Sequence, residues 1–142
     1  MVAITLTEQH GYVLAVAVLS VIVNMWHGFN TSSYRKAAKI EYPTAYASEE
    51  LANTDIKAKR FNCAQRAHAN YLENWTNFLV LLLVSGISFP TFSAIAGVVF
   101  LFGRVIYTIG YSSGDPSQRM KGAIAYLGFF PLLVRYLLTL KD

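Results

Sequence analysis

Hydrophobic positions fall into long uninterrupted runs, and polar ones gather between them. From Gly11 to Tyr34 there is no Asp, Glu, Lys or Arg, and GYVLAVAVLSVIVNMWHGF is long enough to cross a bilayer. A cleaved signal peptide is the competing reading. However, no basic residue precedes the run and only NMWHGFN follows it, so the pattern predicts an uncleaved helix over about 8–30. Residues 35–60 are polar and contain Pro43, which predicts a membrane-flanking loop. Asn74 to Gly103 is uncharged and too long for one span. Gly86 and Pro90 in SGISFPTFS mark a turn that divides it into helices over about 63–86 and 91–112. Asp115 as N-cap and Pro116 at the first helical position open a fourth helix, about 116–138, with Pro131 inside it. The pattern predicts an all-α integral membrane four-helix bundle, a single domain over 1–142.

Composition supports this reading. The chain is 54% hydrophobic and 14% charged, with a mean hydropathy of +0.37, whereas a soluble domain carries about 25% charged residues. The net charge of +4 is localised. Eight of the Lys and Arg residues, from Arg35 to Arg60 plus Arg119 and Lys121, fall in or beside the first and third loops. The N-terminal segment and the second loop have none. The positive-inside rule then puts those two loops in the cytosol and both chain ends across the membrane. There is no basic helix or aromatic RNA motif, so nucleic acid is not an expected partner. Cys63 is the only cysteine, which excludes an intrachain disulfide.

Polar residues inside the runs carry the candidate chemistry. Arg66, Asn70, Glu73 and Asn77 follow i, i+4, i+7, i+11 and share one stripe of a helix. Arg104, Tyr107 and Tyr111 share a face of the next, and Arg119 stands just past Pro116. Such groups can simply join helices, at about 0.6–2 kcal/mol per hydrogen bond. Ionisable groups in a membrane are nevertheless costly and usually functional. Guanidinium groups pair with carboxylates or phosphates, and a glutamate accepts from an ammonium group. A ligand with carboxylates and one amine fits that set better than a phosphate ester. No phosphate loop, zinc-ligand pair or nucleophile elbow is present, and no metal site is expected.

FNCAQRAHANYLE, with its R-x-x-x-N-x-x-E core, followed by FGRVIYTIGYSSGDPSQR, resembles the MAPEG family of small membrane proteins. The resemblance covers the whole chain, including KIEYPTAYA, and is strongest to the microsomal glutathione transferase 3 type. It implies a homotrimer with glutathione, as co-substrate, bound between subunits near the cytosolic side of a microsomal, endoplasmic-reticulum membrane. By resemblance Arg66, Asn70 and Glu73 hold the peptide ends, Tyr107 and Tyr111 line the site, and Arg104 supports it. Arg119 matches the arginine that stabilises the thiolate. Arg35 reaches the ligand from the adjacent chain, and Lys36 stands where relatives can carry a second arginine, a further catalytic candidate. His68 and Asn74 occupy site positions where the leukotriene-synthase branch has glutamine and tyrosine, and the prolines common after Glu73 are missing.

The implied activity is a glutathione transferase with peroxidase activity toward lipophilic electrophiles or lipid hydroperoxides. It is a detoxifying chemistry that extends to leukotriene C4 synthase-like conjugation. Its partners are a second and third copy of the chain, membrane lipids and a lipophilic small molecule. Two other classes stay open. The family includes a lipid-presenting member without transferase activity, but that branch lacks the arginine present here as Arg66. A small transporter needs a continuous polar route, to which the first helix offers only Ser20, Asn24 and His27.

Overall fold

A computed structural model describes residues 6–139, all of whose regular structure is helical. Helix α1 spans Glu8–Ala38, α2 Glu49–Thr54, α3 Ile56–Ser88 and α4 Pro90–Tyr111. A 3-10 helix over Pro116–Ile124 then leads into α5, Ala125–Thr139. The chain ends, 1–5 and 140–142, whose placement across the membrane the charge pattern predicts, lie outside the described residues.

Helix boundaries differ from the hydrophobic runs in an instructive way. Helix α1 continues eight residues past the expected end, to Ala38, because backbone hydrogen bonding does not stop where the membrane does. It closes at Lys39 in the left-handed conformation (φ 54°), whose N–H reaches back to Arg35 O and Lys36 O. The expected loop over 35–60 is therefore mostly helix: only 39–48 and Asp55 lie outside helical spans. Asp55 starts α3 early by accepting from Lys57 N at 2.8 Å. The expected turn at Gly86–Pro90 reduces to Phe89 alone, since Gly86 is helical and Pro90 is already the first residue of α4. A missing N–H costs nothing at that position.

Three helical stretches are long and apolar enough to cross a membrane: α1, α4 and the combined Pro116–Leu138. Helix α3 falls short because Glu73, Asn74 and Asn77 interrupt its apolar half. It is nevertheless well enclosed, packed against α1, α4 and α5, and α4 in turn packs against α1, α3, α5 and the 3-10 helix. Phe78 and Phe100 stack at 4.2 Å in the core, with Leu82 and Leu132 fully buried beside them. In a membrane such close packing, with small residues where backbones meet, is a main source of helix association. Helices α4 and α5 use it: Gly103 lies against the backbone of Ala125, and Gly128 against Ala96 O and Phe100 N.

Candidate functional site

The site lies at the end of the bundle closed by segment 39–55. Two clips hold that segment. Asn62 on α3 accepts from Ala47 N at 2.8 Å and donates to Ala47 O at 2.9 Å. Arg35 donates to Thr44 O at 2.6 Å, with its guanidinium over the Tyr42 and Phe61 rings. On the other side, Arg60 donates to Ser113 O at 3.0 Å and so pins the turn after α4. Asp115 caps the following 3-10 helix by accepting from Ser117 N and from the Ser117 hydroxyl. The Ser117 hydroxyl, the Gln118 amide and Ser117 N–H hold the Asp115 carboxyl below the usual aspartate range.

Between these clips the two predicted stripes meet. Arg66 and Glu73 form a two-pronged ion pair at 2.7 and 3.4 Å, each side chain about half exposed. Asn70 joins them to α4, donating to Glu73 Oε2 at 3.2 Å while its Oδ1 accepts from Arg104 Nη2 at 2.9 Å. The order is Arg66, Glu73, Asn70, Arg104: one carboxylate between two guanidinium groups, relayed by an amide. The Arg104 guanidinium lies 4.5 Å from the Tyr107 ring centroid. Tyr107 meets Tyr111 edge to face at 5.7 Å, and Arg119 stands 5.6 Å over the Tyr111 ring. Arg119 also donates to Pro116 O, closing its own 3-10 turn.

Asn70, Arg104, Tyr107 and Arg119 line a cavity of about 220 Å³. Arg66 and Tyr111 open onto a second, of about 330 Å³, with Tyr46, Lys59 and Asn62. Arg104 is 4% exposed, and its Nε is a buried donor without a hydrogen-bond partner among the described residues. Arg66, Asn70, Glu73, Arg104, Tyr107, Tyr111 and Arg119 thus come together within one chain.

The other sequence candidates lie elsewhere. His68 turns toward α1, its Nε2 3.3 Å from Asn24 Oδ1. Asn74 donates to Asn70 O at 2.8 Å, back onto its own helix. Arg35 is buried in its clip, and exposed Lys36 shares a separate cavity of about 380 Å³ with Arg35, Lys39 and Tyr42. Asn77 is exposed, so the stripe ends functionally at Glu73. Cys63 is buried, as a packing residue would be.

Residues behind the cluster were missed: His27, Tyr71 and Thr108 are all fully buried against it. For His27 the sequence carries a signal, a third stripe of Ser20, Asn24, His27 and Thr31 with the same i, i+4, i+7, i+11 spacing as the α3 residues, whereas Tyr71 on α3 and Thr108 on α4 lie outside it. No groups of His, Cys, Asp and Glu able to hold a metal occur among the described residues.

A helical membrane bundle with a charged cluster of this make-up at one end agrees with a comparison against known families. The sequence model of the MAPEG family, which includes glutathione transferases and peroxidases, matches residues 13–141. That span holds α3, α4, the 3-10 helix and every residue of the cluster, and this chain belongs to the MAPEG family.

Proposed function

We propose that the protein is a membrane-bound glutathione transferase with peroxidase activity, of the microsomal glutathione transferase 3 type. It works as a homotrimer in the endoplasmic-reticulum membrane with its site toward the cytosol. The observation that carries this reading is the order of charge in the cluster. Glutathione has two carboxylates and one amine, and the cluster offers Arg66, Arg104 and Arg119 as cations and Glu73 as the acceptor for an ammonium group. The Arg66–Glu73 pair is half exposed and its two halves exchange readily for the two charged ends of the peptide. Asn70 donates or accepts as either requires. Exposed Lys36, which does not reach this cluster in its own chain, completes the site of a neighbouring subunit, and Arg35 joins it there on leaving its clip to Thr44.

Arg119 supplies the chemical step. A free thiol has a pKa of about 8.5, so little of it is ionised at neutral pH. A guanidinium beside the sulfur favours the thiolate, and each unit of depression is worth about 1.4 kcal/mol. In conjugation the thiolate sulfur forms a bond to carbon, and the displaced group leaves with the electron pair. In peroxide reduction the sulfur attacks the terminal peroxide oxygen, the O–O bond breaks, and an alcohol leaves after protonation. The resulting sulfenic acid condenses with a second glutathione to the disulfide and water. Ultraviolet difference absorbance during glutathione titration tests the reading: a saturable thiolate band is expected, and its absence overturns it.

A second reading, a lipid-presenting family member without catalysis, is favoured by a large apolar groove of about 530 Å³ between α1 and α4, lined by Val16, Leu19, Ala94 and Val98. It predicts lipid binding with no response to glutathione.

A further inference from the structure

A buried polar seam on α1, which the proposed chemistry does not use, stands behind the cluster. His27 is 0% exposed. Its Nδ1 lies 2.8 Å from Val23 O and its Nε2 2.7 Å from Thr108 Oγ1. A carbonyl can only accept, so Nδ1 carries the proton. Full burial keeps the imidazole neutral, so Nε2 is the lone pair and the Thr108 hydroxyl donates to it. Its ring stacks on Tyr71 at 4.3 Å, and Tyr71 is itself tethered by donating to Ser20 O at 2.7 Å.

Both contacts lead to Arg104. Thr108 follows it by one turn on α4, and the Arg104 guanidinium lies 5.9 Å from the Tyr71 ring centroid. Arg104 has Asn70 as its hydrogen-bond partner and a free Nε, so polar contacts alone do not fix its orientation. The other constraints are the Tyr107 ring, 4.5 Å away on its own helix, and the packing of α1, α3 and α4 around it, and His27 joins all three helices.

We propose that His27 is a positioning residue: as the neutral Nδ1–H tautomer, it fixes the Arg104 guanidinium in the site through Thr108 on α4 and Tyr71 on α3. Its consequence for glutathione rests on the function proposed above; its effect on Arg104 does not.

The test follows the Arg104 Nε–H signal in full-length ¹⁵N-arginine-labelled protein in nanodiscs, assigned by its loss in Arg104→Lys, alongside thermal unfolding and glutathione binding. His27→Phe keeps the ring stack but orphans the Thr108 hydroxyl. Adding Thr108→Val removes both polar partners at once, which restores stability even though the link stays broken. The double variant is expected to unfold near the wild-type temperature while its Arg104 signal broadens. Its glutathione Kd should weaken about tenfold, the equivalent of one hydrogen bond, with kcat changed less than about twofold. Should the double variant not fold, Thr108→Val against Thr108→Ser, which keeps the hydroxyl, carries the same comparison. A wild-type Arg104 signal in the folded variant overturns the proposal, because a merely structural histidine recovers fully once the orphan is removed. A broadened signal in a protein whose wild type ignores glutathione upholds the positioning role and removes the transferase reading instead.

Discussion

Gly122 sets how closely the 3-10 helix lies on α4, and adding a single methyl group there tests how far the site depends on that contact. A Cβ at Gly122 would stand 2.3 Å from Tyr107 Cβ, 2.5 Å from its Cα and 2.6 Å from its N. Ordinary contact begins at 3.4 Å, so the two backbones must part by about 1 Å. None of the three atoms is the flexible end of a side chain. Overpacking of this kind costs about 1–3 kcal/mol. The site is affected from both sides, because Tyr107 is the ring under Arg104 and Arg119 lies one 3-10 turn before Gly122. A shift of about 1 Å at a catalytic group can cost about a hundredfold in rate. Gly122→Ala should therefore lower both the unfolding temperature and the glutathione thiolate absorbance. Gly128→Ala is the control: its Cβ would stand 2.2 Å from Ala96 O, as tight a contact, but against residues outside the cluster. It should lose stability and keep the thiolate. If Gly122→Ala folds and ionises glutathione like the wild type, the 3-10 helix does not set the position of Arg119.

Glu73→Gln should leave thermal unfolding near the wild type, because a half-exposed ion pair contributes little, yet abolish glutathione binding measured by calorimetry. Asn62→Ala removes both hydrogen bonds to Ala47 and should cost about 1–3 kcal/mol; limited proteolysis should then cut within 39–48. The Asp115 carboxyl titrates below the usual aspartate value of about 3.9. Its cap is therefore fully stabilising above that value and is lost as pH falls through the depressed one. Thermal unfolding followed from pH 6 downward should show this loss in the wild type and less of it in Asp115→Ala.

The helices and the core of the cluster were legible because both follow periodicity. The spacing of Arg66, Asn70 and Glu73 fixes a face whatever lies opposite, and Arg104 with Tyr107 and Tyr111 fixes the answering one. Helix ends were not legible from the apolar runs: the helical stretches 31–38 and 56–62 carry charge and flank the membrane run without belonging to it. Nor did Asp115-Pro116, a sound helix start, disclose that the first nine residues wind as 3-10. Runs that long are uncommon and here coincide with the tight approach at Gly110 and Gly122. His68 and Asn74 share a helix with the cluster but point away from it, one toward Asn24 and the other to its own backbone. Short-range spacing does not resolve such differences.

The most direct test of the account is ultraviolet difference absorbance of the purified protein titrated with glutathione at neutral pH, compared between the wild type and Arg119→Ala. A saturable thiolate signal is expected in the wild type and its loss in Arg119→Ala, with glutathione still bound by calorimetry through Arg66, Asn70 and Glu73. An equal thiolate signal in Arg119→Ala would contradict the role given to that arginine, and a wild type that neither binds nor ionises glutathione would contradict the function itself.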